Sequence, residues 1–208
     1  MKNYNIEEFK KNSNIEMVKQ FMNANNGYIT SKQITDLGIH RMYLKIMVEK
    51  NIIEKVFRGI YVTKNVLEDE LYVFQLKYPK TIFSGFTALY FWGLTEIFPT
   101  SYDITVGYNY HVSYINKFHN VTRCKDELIN LGLVEVKTSF GNYVYAYDAE
   151  RCICDIIKNR NKLDYEQVKK SIKMYLTSKN RNLEKLIEYS KKMKIYNKVF
   201  NYIEVYYE

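Results

Sequence analysis

The joint at Leu37-Gly38-Ile39 constrains this chain more than any other feature of its sequence. Upstream, Thr30-Ser31-Lys32-Gln33 is a capping-box pattern, in which the Thr and Gln side chains satisfy backbone amides left open at a helix start. It opens a short helix carrying Ile34 and Leu37, and Gly38 stops it. A further helix is expected at once, from about His40 to Lys50, so only Gly38-Ile39 separates the two. That leaves room for nothing but a sharp turn. A preceding helix is announced by an earlier capping box, Ser13-Asn14-Ile15-Glu16, the first of the two in chain order, with Ile15, Val18, Phe21 and Met22 at helical spacing, and it ends near Asn25-Asn26-Gly27. Three helices with that tight second joint predict a helix-turn-helix.

The next segment, Ile52 to Val62, reads as two β-prone runs flanking Arg58-Gly59, where the glycine supplies the positive φ of a tight hairpin. A hairpin directly after the third helix is a wing. With Leu44 at the centre of that helix's inward face, Met47 and Val48 flank it and His40 lies one turn earlier on the same side, as a packed or capping residue. Met42, Lys45, Ile46 and Glu49 then face outward, with Arg41 and Tyr43 on the shoulders. Such a helix offers its first turns to base edges in the major groove. Arg41 and Lys45 suit guanine acceptors or phosphates, and Met42 suits thymine methyls. Outward Met42 and Ile46 fit either base contact or packing against a second domain. Lys55 and Arg58 on the wing are placed for phosphate or minor-groove contact, and Lys32 with the amides at the start of the second helix is expected near the DNA backbone.

Charge supports an anionic partner. The net formal charge is +8, and it is uneven: residues 1–65 hold eleven Lys/Arg against six Asp/Glu, residues 66–145 six against eight, and residues 146–208 fourteen against nine. A composition rich in Lys and Asn is also what an A/T-rich genome produces, so the distribution carries more than the total.

The remainder reads as α+β, giving an overall α+β fold class: an N-terminal winged helix-turn-helix over 1–66, then a mixed α+β domain over 67–208. A helix with Leu71, Phe74 and Leu76 leads to Pro79, and Ser84 to Leu94 looks like a buried helix ended by Gly93. Tyr102–Val106, Val134–Thr138 and Tyr143–Tyr147 read as strands, and Asp148 begins a helix through Cys154 and Ile157. After Asp164 the chain is helical and basic, with Leu183, Leu186, Ile187, Val199, Phe200 and Ile203 as an apolar stripe. No signal-peptide core follows Met1, the nearly apolar run Gly85–Leu94 is about half a membrane span, and three cysteines are too few for a disulfide framework. A cytoplasmic protein, without membrane association, is expected.

Signals of catalysis are weak. His40, His111 and His119 are scattered, and Cys152 and Cys154 on one helix point about 200° apart, so neither metal ligation nor any cofactor is expected. There is no phosphate-binding glycine loop and no nucleophile elbow. One alternative stands: Asp103 on a strand, followed by Glu135-Val136-Lys137 on another, is the minimal pattern of Mg²⁺-dependent nucleases. The same residues are equally those of an edge strand with alternating polar positions. A regulator rather than an enzyme is the expectation.

Several segments together resemble the AbiEi family of antitoxins from bacterial abortive-infection systems. They are Gly27-Tyr28-Ile29-Thr30, Leu37-Gly38-Ile39 and Phe57-Arg58-Gly59-Ile60-Tyr61-Val62, then Ala88-Leu89, Trp92-Gly93-Leu94-Thr95, Tyr102-Asp103-Ile104-Thr105-Val106 and Asp148 to Ile157. Relatives often carry Pro-Gly at the wing, where this chain has Arg58-Gly59. The resemblance implies a winged domain that represses its operon by binding inverted repeats in promoter DNA, and a C-terminal domain that counters a nucleotidyltransferase toxin. In that type IV arrangement the antitoxin opposes the toxin's effect without necessarily binding it. Glu150, Arg151 and Asp155 match the family; their four-residue Arg–Asp spacing favours an internal salt bridge over a direct antitoxic role.

Overall fold

A computed structural model of the chain describes residues 14–207. Its fold is α+β, in two compact units: the chain up to Pro79 together with Lys137–Val144, and Lys80–Val136 together with Tyr145 onward.

In the first unit, helices α1 (Asn14–Ala24), α2 (Ser31–Asp36) and α3 (Met42–Glu49) are joined by a short strand β1 (Tyr28–Thr30) and followed by the hairpin β2 (Ile53–Phe57) and β3 (Ile60–Thr63). Ser13 of the first capping box lies outside the described residues; Glu16 of that box is paired with Lys19 at 2.8 Å. The second box closes in both directions, Gln33 N–H donating to Thr30 Oγ1 and Thr30 N–H to Gln33 Oε1. At the joint, Gly38 has φ +73. Ile39 N–H then donates to Ile34 O and Gly38 N–H to Thr35 O, the paired bonds that end a helix in a left-handed residue. A side chain at Gly38 would strain that turn. Met17, Val18, Phe21, Met22, Ile34, Ile39, Leu44, Met47 and Ile53 form one buried cluster between the helices.

Two features of this unit were not foreseen. β1 joins the hairpin antiparallel through β3, pairing Tyr28 with Val62, so the sheet has the order β1-β3-β2. The compact unit also runs past the boundary expected at 66: α4 (Glu70–Lys77) packs Val73 on Tyr28, Ile60 and Val62. Buried Asp69 organises this junction. Its Oδ1 caps α4 at Tyr72 N–H, and its Oδ2 accepts from Thr138 Oγ1 at 2.6 Å and Asn142 Nδ2 at 2.7 Å. Its own N–H donates to the Tyr28 hydroxyl at 2.7 Å.

The second unit is built on a five-stranded sheet of order β6-β5-β4-β8-β7, from β4 (Ile82–Phe83), β5 (Asp103–Gly107), β6 (Asn120–Cys124), β7 (Leu133–Lys137) and β8 (Tyr143–Tyr147). Helix α5 (Gly85–Phe91) is shorter than the expected 84–94, and α6 (Asp126–Ile129) follows β6. Then come α7 (Ala149–Lys158), α8 (Tyr165–Thr177), α9 (Leu183–Lys192) and α10 (Tyr196–Tyr207). Asp148 caps α7 through Arg151 N–H, as its position implied. The expected tail stripe holds at Leu186 and Val199, which are buried, but Phe200 points outward and stacks on Tyr196 instead.

Candidate nucleic-acid interface

Helix α3 is amphipathic in the sense expected. Leu44 and Met47 are buried and Val48 half-buried, whereas Arg41, Lys45 and Glu49 are exposed and Met42 is 53% exposed. Tyr43 is half-buried against the helical core, and Ile46 is likewise half-buried. His40 departs from its expected inward place. It is exposed, because the helix begins two residues later, and its Nδ1 accepts from Met42 N–H at 3.2 Å in the manner of a cap.

Neighbouring elements hold the cations of this face. Arg41 Nε donates to Thr35 Oγ1 at 3.0 Å, and that hydroxyl in turn donates to Ser31 O, so α2 orients the guanidinium. Lys45 Nζ lies 3.8 Å from Glu49 Oε1 one turn on; both are solvated, so the pair is worth little. At the wing, Gly59 O accepts from Ser31 N–H at 2.8 Å. That bond ties the hairpin tip, where Arg58 is exposed, to the start of α2, where Lys32 is exposed. Lys55 is exposed on β2, just before an irregularity in the strand pairing that precedes Phe57. The Phe57 ring carries the Lys77 ammonium 3.9 Å from its centre.

At the start of α2, Ser31 N–H is taken by Gly59 O and Gln33 N–H by the Thr30 cap, so two of its first-turn amides are already engaged. Ser31, Thr35 and Lys77 were not singled out from the sequence, since their roles depend on the wing and α4 folding back.

The alternative metal constellation is not assembled. Asp103 sits on β5 and Glu135 on β7, with β4 and β8 between them, a separation of roughly 14 Å at ordinary strand spacing. Asp103 has other work: Oδ2 accepts from Phe86 N–H at 2.8 Å at the start of α5, and Oδ1 from Asn120 Nδ2 at 2.8 Å. Glu135, exposed on β7, hydrogen-bonds Tyr145. Among the described residues no three His, Cys, Asp or Glu side chains converge as a metal site.

Glu150, Arg151 and Asp155 lie on α7, the first two buried and Asp155 half-buried, and engage two sets of polar partners. Arg151 Nε meets Asp155 Oδ2 at 3.1 Å, its Nη1 donates to Leu128 O and Leu131 O, and its guanidinium lies over the Tyr147 ring at 4.2 Å. Burial pulls the Arg151 pKa down, but the Asp155 carboxylate and Tyr147 outweigh it, so it stays charged. Glu150 Oε1 accepts from Tyr175 OH and Asn182 N–H, fastening α8 and the start of α9. The expected salt bridge is therefore present. Cys152 and Cys154 are buried free thiols.

Three helices with a tight joint and a sheet closed by a wing define a winged helix-turn-helix, carried here on a chain with a second, α+β unit. Residues 19–64 match the family model described as "Transcriptional regulator, AbiEi antitoxin", in agreement with the resemblance read from the sequence. The match spans the end of α1 through β3, the segment that contains Arg41, Lys45 and Arg58. Among solved structures the chain is similar to the RV2827C protein from Mycobacterium tuberculosis, at 10% identity and a TM-score of 0.53. The superposition covers 79% of this chain and 66% of that one, so the chain spans just under two thirds of that protein's length, and the likeness is one of fold. No curated protein sequence matches it. No helix among the described residues is long and apolar enough to cross a membrane.

Proposed function

We propose that this chain is an antitoxin that represses its own operon, the winged unit binding inverted repeats in double-stranded promoter DNA and the second unit countering a nucleotidyltransferase toxin. One observation carries the DNA-binding half: α3 is anchored by Leu44 and Met47 while Arg41, Met42 and Lys45 stand in solvent. Outward Met42 is out of place on a merely solvated face, and it suits contact with thymine methyls. Lys32, Lys55 and Arg58 supply phosphate contacts beside it, and Tyr43, on the helix shoulder, completes the DNA-binding set. The protein works in the cytoplasm, as a regulator without catalytic activity.

The antitoxic half rests on the family match and on the resemblance of the Asp148–Ile157 segment. A gel-shift titration on the chain's own promoter tests the first half. Wild type is expected to retard the fragment with affinity falling steeply in salt. Arg41→Ala with Lys45→Ala should lose about tenfold or more. A promoter fragment left unshifted at low salt overturns the reading. Co-expression with a nucleotidyltransferase toxin tests the second half, with growth rescue expected from wild type and from the Arg41→Ala/Lys45→Ala variant alike.

A further inference from the structure

We propose that edge strand β6 and the connection leading into it form a second nucleic-acid surface, one that takes single strands and is separate from the winged unit. The stretch from Ile104 to Lys125 contains no Asp or Glu, but it holds Lys117, Arg123 and Lys125 and four Tyr/Phe residues, Tyr108, Tyr110, Tyr114 and Phe118. Three of those rings stand in solvent: Tyr108 at 56%, Tyr114 at 58% and Phe118 at 60% exposure. An unpaired base offers a π-face to such rings and a phosphate to such cations; a duplex keeps its faces stacked away.

The geometry spaces these groups along one edge. β6 is the outermost strand, parallel to β5, with Asn120, Thr122 and Arg123 exposed on it. At its beginning, Tyr114 and Phe118 lie with ring centres 5.5 Å apart around the single turn that carries Lys117. At its other end, Arg123 Nη1 donates to the carbonyls of Tyr108 and Tyr110, fixing the backbone that carries the exposed Tyr108 ring. The Tyr114–Phe118 pair and Tyr108 are thus held apart by a five-residue strand, roughly 15 Å, with cations at both ends. Asp103, on the adjacent strand, has both carboxylate oxygens engaged by Phe86 and Asn120. Asp126 and Glu127 bound the track at α6. The surface fits a strand drawn along an edge, its bases on aromatic platforms and its phosphates near Lys117, Arg123 and Lys125.

Fluorescence anisotropy of the full chain with short labelled oligopyrimidines, one RNA and one DNA, tests this. Wild type is expected to bind at least one of them at low salt and to release it as salt rises. Tyr114→Ala with Phe118→Ala should weaken that binding about tenfold or more while leaving the promoter gel shift unchanged. Arg41→Ala with Lys45→Ala should do the reverse, so failure of this surface and failure of the winged unit are distinguishable. Tighter binding of the RNA or of the DNA supports the proposal either way and identifies the source. Should the aromatic variant fail to fold, as seen in its melting curve, Lys117→Glu with Lys125→Glu decides by the same loss. Absence of single-strand binding overturns the proposal, as does binding that survives both variants or disappears with the winged-unit variant.

Discussion

The backbone of Ser31 donates to the carbonyl of Gly59, and that single 2.8 Å bond ties the tip of the wing to the start of α2. The wing is therefore not a free hairpin; its tip is referred to the same helix that orients Arg41 through Thr35.

Arg58→Ala should leave the fold intact, because the side chain is exposed and the latch is made by its neighbour's backbone. Promoter affinity should fall, and the slope of log affinity against log salt should shrink by about one. Gly59→Ala should act differently. Gly59 has φ +78, so the substitution strains the tip by about 1–2 kcal/mol and lowers the melting temperature. Unchanged affinity for Arg58→Ala in a gel-shift titration removes the wing from DNA binding.

Asp69 is the next test, this time of the unit's extent. Asp69→Ala leaves Thr138 Oγ1 and Asn142 Nδ2 buried without their acceptor and removes the cap of α4. A loss of about 2–4 kcal/mol in urea unfolding is expected. An effect within experimental error of wild type would mean that residues 137–144 contribute nothing to the winged unit.

How far these arrangements could be read in the sequence follows their range. The capping box at Thr30, the turn at Gly38 and the hairpin at Gly59 are local devices, each completed within a few residues, and each stands where the sequence put it. β1 is three residues long, and it is a strand only because Val62 lies beside Tyr28. Asp69 shows a local signal as a helix cap, but its second oxygen is committed to Thr138 and Asn142, which no spacing rule reaches. The Asp103 reading went astray for the same reason. An acid on one strand and Glu-x-Lys on another are near only if those strands are neighbours, and strand order is settled by long-range pairing. His40 was misplaced by two residues of helix boundary.

Arg151→Met tests the Arg151–Asp155 hub on α7. The change strands the Asp155 carboxylate and removes the guanidinium donors from the carbonyls of Leu128 and Leu131, of which Leu128 O keeps the backbone N–H of Leu131. Breaking a buried pair by removing one partner costs about 3–5 kcal/mol. The variant should unfold early in urea. A fully stable Arg151 variant would show that the hub contributes little to the fold.

Asp103→Ala separates helix capping from metal binding. Loss of the carboxylate at Phe86 N–H should cost about 1 kcal/mol of stability, by thermal unfolding. Supercoiled plasmid incubated with Mg²⁺ should remain uncut by wild type and variant alike. EDTA-sensitive cutting by wild type that the variant lacks would restore the nuclease reading.

The three cysteines give the last prediction. Cys124, Cys152 and Cys154 are all buried, and burial pushes the Cys154 thiol up to about 12, with Cys152 raised well above its ordinary range by the same cause. The nearby Asp155 carboxylate adds to both shifts, and Arg151 opposes them without overcoming them. The thiolate is the reactive form, so a native protein at neutral to mildly alkaline pH presents almost none of it from α7. A colorimetric disulfide reagent should therefore titrate no thiol in the native state at neutral pH and all three in urea. Because Cys152 and Cys154 lie beside the Arg151–Asp155 pair, Arg151→Met should expose both in parallel with its loss of stability. A thiol that reacts rapidly in the folded wild type would show that α7 opens locally, and the rigid hub inferred from Arg151 would fail with it.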